Sequence, residues 1–371
     1  MKKLNKALLG LGVSAAMFGS LAANADTLKI ALAGPVTGDV AQYGDMQNIG
    51  ALMAIEQINK AGGVKGMKLE GVVYDDSCDP KQAVQVANKV VNDGIKFVVG
   101  HLCSSSTQPA SDIYEDEGVL MITAASTSPD ITARGHKMIF RTIGLDSHQG
   151  PTAGNYIADT LKPKRMAVIH DKQQYGEGIA TAVKDTVTKK GVNVVLFEGI
   201  NKGDKDFSAL IAKLQKENID FVYYGGYHPE LGLILRQAAE KGFNVKFMGP
   251  EGVGNSDLSS IAGAAAENLL VTLPPSFDTR AENKALVDAF KAKGQDPSGA
   301  FVLTAYSAVQ VMADAIKASG TTDTQKLQHT LREMTFNTPT GNIAFDAKGD
   351  LKTFDFVIYQ WHQDGSKTLL K

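Results

Sequence analysis

Cysteine is scarce in this chain, with two residues among 371, and tryptophan is scarcer, with one. Cys78 and Cys103 are too few and too far apart in sequence for a Cys-x-x-Cys metal site. In an exported chain a disulfide is the default expectation for such a pair, and closing the loop between them is worth about 3–4 kcal/mol. A catalytic or metal-binding thiol is the alternative interpretation.

Long apolar runs are missing after the amino-terminal segment. Three lysines precede an apolar stretch at 7–21, which leads into Ala-Asn-Ala at 23–25, the small-x-small pattern that signal peptidase reads. A membrane anchor is the competing interpretation, but it needs ~20 apolar residues, and this run is shorter. We therefore predict a cleaved signal peptide at 1–25, a mature chain from Asp26 and a periplasmic location.

A strong charge of one sign and the motifs of common enzymes are also missing. The formal net charge is −2, and cleavage of a leader with three lysines would make it about −5, since −2 − 3 = −5. No basic stripe of the kind that nucleic acid requires is present. The sequence has no GxSxG, Walker A or HExxH motif, and its histidines show no metal-ligand spacing. We predict no enzymatic activity, cofactor, metal or nucleic-acid partner.

What the chain does have is a regular alternation of short apolar runs with amphipathic helical segments. The strand-like runs lie at 28–32, 68–74, 97–100, 119–123, 165–170, 192–197, 221–224 and 245–248. Strands separated by helices of this length imply right-handed crossovers and a parallel, doubly wound sheet. Because the rhythm restarts after Arg141, we predict an α/β fold with two doubly wound lobes.

The final hundred or so residues break the alternation, with helical patterns at 283–291, 297–317 and 324–334 before strand-like runs at 341–345 and 354–361. No linker rich in Gly, Ser or Pro separates the halves, so this tail should pack onto the two lobes. The chain would then cross between lobes near 143–147, 271–277 and 351–354, and several short crossings make a hinge. The predicted lobes are 26–145 plus 275–352, and 146–274 plus 353–371.

Hydroxyl-rich loops follow two neighbouring predicted strands of the first lobe. Ser104, Ser105, Ser106 and Thr107 follow one strand, and 123–129 follows the next. Ligands of doubly wound sheets bind outside the carboxyl ends of the strands, where hydroxyl and N–H donors converge on an anion. These loops therefore favour a carboxylate site, while simple capping of a helix by one serine is the alternative.

The corresponding loops of the second lobe carry different chemistry. Glu251, on a loop flanked by Gly249 and Gly252, is suited to an α-ammonium group, although an exposed loop carboxylate is the alternative. Tyr43, Tyr175 and Tyr227 are aromatics near predicted ligand-facing loops, where each could also be ordinary packing.

Four longer motifs carry a close resemblance to a known family. They are DDSCDPKQAV at 75–84, GHLCSSSTQPA at 100–110, HDKQQYGEG at 170–178 and YYGGYHPE at 223–230. Together they resemble the periplasmic leucine/isoleucine/valine-binding proteins of Gram-negative bacteria, over essentially the whole mature chain. The resemblance implies a type I periplasmic binding fold with three crossovers, a monomer, and delivery of L-leucine, L-isoleucine and L-valine to an ATP-driven (ABC) permease of the inner membrane.

The resemblance also assigns site residues. Ser104 and Thr127, with backbone groups near Ala125, would hold the α-carboxylate, and Glu251 and Tyr227 the ammonium side. The residues implied to line the side-chain pocket are Tyr43, Leu102, Cys103, Tyr175 and Phe301. Tyrosine at position 43 is associated with acceptance of all three ligands. Ser126 departs from the usual pattern and is expected to add a hydroxyl near the site.

Two alternatives stay open at this point. The same fold serves as a ligand-reporting sensor, and a transport protein of this type could instead take an amide, a short-chain acid or a polar amino acid.

Overall fold

The computed structural model describes residues 26–370, so the predicted signal peptide at 1–25 lies outside the described part. The strands are β1 (Thr27–Gly34), β2 (Lys68–Asp75), β3 (Phe97–Val99), β4 (Leu120–Thr123), β5 (Ile139–Arg141), β6 (Met166–His170), β7 (Val194–Gly199), β8 (Phe221–Gly225), β9 (Lys246–Gly249), β10 (Leu270–Leu273), β11 (Thr335–Thr338), β12 (Gly341–Ala344), β13 (Val357–Trp361) and β14 (Lys367–Leu369). The α-helices are α1 (Ala41–Lys60), α2 (Pro80–Asn92), α3 (Ser104–Asp116), α4 (Asp146–Tyr156), α5 (Gln174–Lys189), α6 (Ser208–Lys216), α7 (His228–Glu240), α8 (Ser256–Ala262), α9 (Lys284–Lys291), α10 (Val302–Ser319) and α11 (Thr324–Glu333).

The first sheet is fully parallel and has the strand order β2-β1-β3-β4-β5. Strands β1 to β4 match apolar runs that the sequence pattern predicts. The fifth, β5, was not predicted, because it is three residues long and ends in Arg141, whose charge breaks the apolar pattern. Arg141 is nevertheless wholly buried.

The second sheet has the order β14-β13-β10-β9-β8-β6-β7. Strands β6 to β10 are parallel, and β13 and β14 are added antiparallel at the β10 edge. The two predicted sets of strands therefore form two separate sheets, which confirms the α/β fold with two doubly wound lobes.

The chain passes between the sheets three times, after β5, after β10 and between β12 and β13. The segment between the second and third passages packs on the first sheet: Leu303, Val309 and Leu327 share an apolar core with Leu32 and Phe97. The passages lie near the predicted crossing segments, but residues 271–273 of the second segment belong to β10, and the residue limits of the lobes stay a prediction.

Helices α1 and α10 make one of the closest approaches in the first lobe. A Cβ atom on Gly50 would lie 2.0 Å from the carbonyl oxygen of Val302, so glycine is required at this crossing. The contact places the carboxyl-terminal third of the chain directly against its first helix. None of the helices within residues 26–370 combines the length and apolar composition that a bilayer span requires.

Candidate functional site

The carboxyl ends of the two sheets face each other, and the loops that follow their strands meet in a closed cleft. Every site residue predicted from the sequence is buried there, with no more than 7% of its surface exposed. These residues are Tyr43, Leu102, Cys103, Ser104, Ala125, Thr127, Tyr175, Tyr227, Glu251 and Phe301. The apolar and aromatic members belong to one contiguous cluster.

Cys78 and Cys103 form a disulfide, with their Cα atoms 5.6 Å apart. The bridge joins the loop after β2 to the residue that precedes α3, and both cysteines belong to the cleft cluster. This confirms the predicted pairing and removes the alternative of a free catalytic or metal-binding thiol. Within the described residues there is also no group of three or more His, Cys, Asp or Glu side chains placed to hold a metal ion.

The serines at the start of α3 do not cap the helix. Its N-cap residue is Cys103, whose side chain makes no capping hydrogen bond. Ser104 instead uses its hydroxyl oxygen to accept a hydrogen bond from the Ser128 N–H at 3.3 Å. The two hydroxyl-rich loops are thus held side by side, as the strand order predicts. The Ser106 N–H donates to the Cys103 carbonyl oxygen at 2.9 Å, whereas the N–H groups of Ser104 and Ser105 have no partner within residues 26–370.

Ser126 does not add a hydroxyl to the cleft in the way expected. Its Oγ donates to the Leu102 carbonyl oxygen at 2.7 Å and shares a hydrogen bond with the Thr107 hydroxyl at 2.5 Å. A serine hydroxyl that is bonded to a loop carbonyl and to a second hydroxyl is already satisfied locally. Ser126 therefore braces the two hydroxyl-rich loops against each other.

Two buried carboxylates face the cleft, one of which the sequence did not reveal. Glu251 accepts a hydrogen bond from Thr127 Oγ1 at 3.3 Å, which joins the two lobes, while its Oε2 has no partner within the described residues. Asp146, the first residue of α4, is buried with both carboxylate oxygens unpaired there. Buried acceptors without donors are costly, so this geometry suits a bound cation.

The pKa shifts of these carboxyls follow from the same burial. Loss of water raises the pKa of Glu251 to about 7. Burial, and then the charge of Glu251, raise the pKa of Asp146 well above its usual range. Two like charges in a site without water oppose each other's ionisation. A cation between them would offset both the loss of water and the repulsion between the carboxylates.

Gln149, also missed by sequence reasoning, fixes the position of Glu251. Its Oε1 accepts hydrogen bonds from the Glu251 N–H at 3.2 Å and from Thr272 Oγ1 at 2.7 Å. Asp146 and Gln149 both lie on α4, just after the first passage between lobes. Their position next to a predicted crossing between the lobes is the sequence feature that could have indicated that both residues lie near the cleft.

Aromatic side chains close the cleft from both lobes. Tyr43 donates from its hydroxyl to the Gly252 carbonyl oxygen at 2.7 Å, and the Gly252 N–H donates to the Tyr175 hydroxyl at 3.0 Å. The ring of Tyr43 meets Phe301 edge-on with centroids 5.4 Å apart, and Tyr175 lies 5.2 Å from Tyr227. Burial raises the pKa of both Tyr43 and Tyr175, so these phenols stay neutral donors at physiological pH.

The chain matches the family model described as periplasmic binding protein over residues 27–366. It is 65% identical to the leucine-, isoleucine-, valine-, threonine- and alanine-binding protein of Pseudomonas aeruginosa, covering 100% of both chains. Among solved structures it resembles a leucine-binding protein of Thermotoga maritima, with a TM-score of 0.86, 29% identity and coverage of 93% and 98%. It also resembles a branched-chain amino acid transporter substrate-binding protein of Streptococcus pneumoniae in complex with isoleucine, with a TM-score of 0.83, 27% identity and coverage of 93% and 99%.

Proposed function

We infer, from the premise that this chain belongs to the periplasmic binding protein family, that it captures leucine, isoleucine and valine between its lobes and delivers them to an inner-membrane ABC permease. The observation that carries the proposal is a pair of buried carboxylates, Asp146 with both oxygens unpaired and Glu251 with one, facing hydroxyl-rich loops and an apolar aromatic wall in one closed cleft. Only a ligand with a cationic end, an anionic end and an apolar part matches all three features.

We propose the following roles for the site residues. Ser104, Thr127 and the backbone near Ala125 hold the α-carboxylate, where donors at the start of α3 favour an anion. Glu251, Asp146 and Tyr227 surround the α-ammonium group. The side chain packs on the aromatic and apolar residues Tyr43, Leu102, Cys103, Tyr175 and Phe301. A ligand with a charged side chain would leave that charge buried and unpaired, which costs several kcal/mol.

Closure of the lobes is part of the proposed mechanism. We take the lobes as 26–145 plus 275–352 and 146–274 plus 353–371, a division supported by the membership of the two sheets. Contacts across the cleft support a closed form: Gln42 Nε2 donates to Ser256 Oγ at 3.1 Å, and Lys202 Nζ donates to the Cys78 carbonyl oxygen at 3.3 Å. The ammonium group adds an attractive partner for both lobes, which favours closure when ligand is bound.

Membership of the periplasmic binding protein family supports a periplasmic location, and we propose that the chain acts there as a substrate-binding component of transport and not as an enzyme. We propose that residues 1–25 direct export as a cleaved signal and that the mature protein acts as a monomer. Because threonine and alanine appear in the name of the 65% identical relative, we propose that both are weaker ligands here. Alanine lacks most of the apolar contact, at about 0.8 kcal/mol for each missing CH₂ group.

Calorimetric titration of mature protein, freed of ligand by unfolding and refolding, tests the function. We expect one-to-one binding of L-leucine, L-isoleucine and L-valine with micromolar or tighter affinity, about −8 kcal/mol or better. L-Glutamate should give no binding heat, because its carboxylate would enter an apolar pocket. Tight binding of glutamate, or silence with all three branched ligands from a folded and disulfide-bonded sample, would contradict the proposal.

The raised pKa of Glu251 predicts a pH-dependent response to ligand. A carboxyl whose pKa rises from 4.5 to about 7 contributes stability to the ligand-free closed form below pH 4.5, and this contribution is lost as the pH rises through about 7. An ammonium group that pairs with the ionised carboxylate restores it. We therefore expect the increase in Tm caused by saturating L-leucine to be larger at pH 8 than at pH 5.

Differential scanning calorimetry at the two pH values checks this expectation. The Glu251→Gln variant is the matched control and should show a smaller difference, since Asp146 alone remains to titrate. Equal increases in Tm at both pH values in the unaltered protein would contradict the assignment of Glu251 to the ammonium group.

A further inference from the structure

Arg141, at the end of β5, is a fully buried cation directly behind the proposed carboxylate loop. Its Nη1 donates to the Ser126 carbonyl oxygen at 2.6 Å, and its Nη2 donates to the Ser128 carbonyl oxygen at 3.1 Å. These carbonyls belong to the residues on either side of Thr127. The guanidinium therefore holds the backbone on both flanks of a proposed ligand-binding residue.

The other donors of Arg141 anchor it to a different part of the chain. Nε donates to Asp350 Oδ1 at 2.6 Å, and Nη2 also donates to Thr132 Oγ1 at 2.8 Å. Thr132 Oγ1 itself donates to Asp350 Oδ1 at 2.8 Å. The Arg141 backbone N–H donates to the Gly349 carbonyl oxygen at 3.1 Å. Residues 349 and 350 immediately precede the third passage between the lobes.

The planar fork of arginine explains why this residue type is needed. A guanidinium presents its donors in fixed directions, so it can bind a carboxylate on one side and two loop carbonyls on another. In a trans peptide the C=O and the following N–H point in opposite directions. A Ser126 carbonyl directed at Arg141 therefore directs the Thr127 N–H to the side opposite the guanidinium.

We propose that Arg141 is a positioning residue for ligand binding: it fixes the Ser126–Thr127 peptide group and the Ser128 carbonyl for carboxylate recognition and ties this loop, through Asp350, to the third passage between the lobes. The proposal rests on the proposed function, because it assigns Thr127 to the ligand carboxylate. Arg141 does not touch the ligand in this scheme. It acts through the orientation of Thr127.

The test compares Arg141→Lys and Asp350→Asn with Arg332→Lys as the matched control. Arg332, in the same lobe, also donates to backbone carbonyls, those of Lys137 at 3.0 Å and Ala347 at 3.1 Å, but none belongs to the loop at 126–128. The dissociation constant for L-leucine is measured by calorimetry at a temperature well below the Tm of each variant, and Tm is measured separately.

We expect Arg141→Lys to weaken leucine binding about tenfold to a hundredfold, the effect of losing a hydrogen bond to a charged group. Asp350→Asn, which keeps the arginine but weakens its anchor, should shift the affinity in the same direction by less. Arg332→Lys should lower Tm without changing the affinity. If Arg141→Lys does not fold, Asp350→Asn decides the question alone.

A purely structural role would lower the Tm of the Arg141 variant and leave its leucine affinity within about twofold of the unaltered protein. That result would overturn the proposal while leaving the proposed function intact. Failure of the unaltered protein to bind leucine would instead reject the proposed function, and this inference with it. The two failures are therefore distinguishable.

Discussion

Glu251→Ala should reduce the affinity for L-leucine by roughly 30-fold to several-thousand-fold. Removing one partner of a buried, hydrogen-bonded charge pair costs about 2–5 kcal/mol, and each 1.4 kcal/mol is a factor of ten in affinity. The ammonium group would keep Asp146 as a partner but lose the carboxylate that also contacts Thr127 across the cleft. Calorimetry or fluorescence titration of the variant measures the loss.

The same substitution should not destabilise the ligand-free protein. Glu251 Oε2 is buried without a hydrogen-bond partner within residues 26–370, so alanine removes a group that opposes folding at neutral pH. Glu230→Gln is a suitable control, because Glu230 is equally buried in the same lobe but accepts its hydrogen bond from the Gly203 N–H at 2.7 Å. Near-normal leucine affinity in Glu251→Ala would remove Glu251 from the ligand site.

Loss of the disulfide should be the largest single effect on stability. Replacing Cys78 and Cys103 together with serine opens a loop of 25 residues in sequence separation, and the chain-entropy model gives about 3–4 kcal/mol for that loop. Because both residues also belong to the cleft cluster, we expect weaker leucine binding as well. Urea denaturation and calorimetry of the double variant give the two quantities.

Reduction of the unaltered protein with a thiol provides the control for the serine substitutions. Serine places two hydroxyls in an apolar wall, whereas reduction changes only the bond. Both samples should lose a similar free energy of unfolding. If the reduced protein and the double variant unfold at the same urea concentration as the oxidised protein, the bridge contributes nothing through the unfolded chain.

The alternation of apolar runs was sufficient to predict the parallel strands β1 to β4 and β6 to β9, because a strand buried on both faces has no need of polar positions. It missed β10, most of whose residues were assigned to a crossing between the lobes. It failed at β5, where Arg141 interrupts a very short strand. The strand β14, with exposed residues at Thr368 and Leu369, also lacks a pattern that distinguishes it from a loop. In both strands tertiary contacts, rather than the local sequence, determine the structure.

The sequence predicted that Ser104, Thr127 and Glu251 lie near one cleft, because each follows the carboxyl end of a predicted strand, and the structure buries all three there. The candidate site was not predictable for Asp146 or Arg141, which act singly and whose importance depends on what the fold brings next to them. A lone aspartate at a helix start resembles any other surface residue until its burial is known. For Ser126 the sequence led to the wrong expectation that its hydroxyl would face the cleft. The hydroxyl instead donates to the backbone carbonyl oxygen of Leu102.

The order in which the chain supplies its parts has a consequence for biosynthesis. The face of α1 that carries Ala51, Ala54 and Ile55 packs in the same core as α10, which begins at residue 302. The sheet of the other lobe is completed only when β13 pairs with β10. A polypeptide that emerges amino-terminus first therefore completes neither core until nearly all of it has been made, so neither lobe can reach its full stability while most of the chain is still being synthesised.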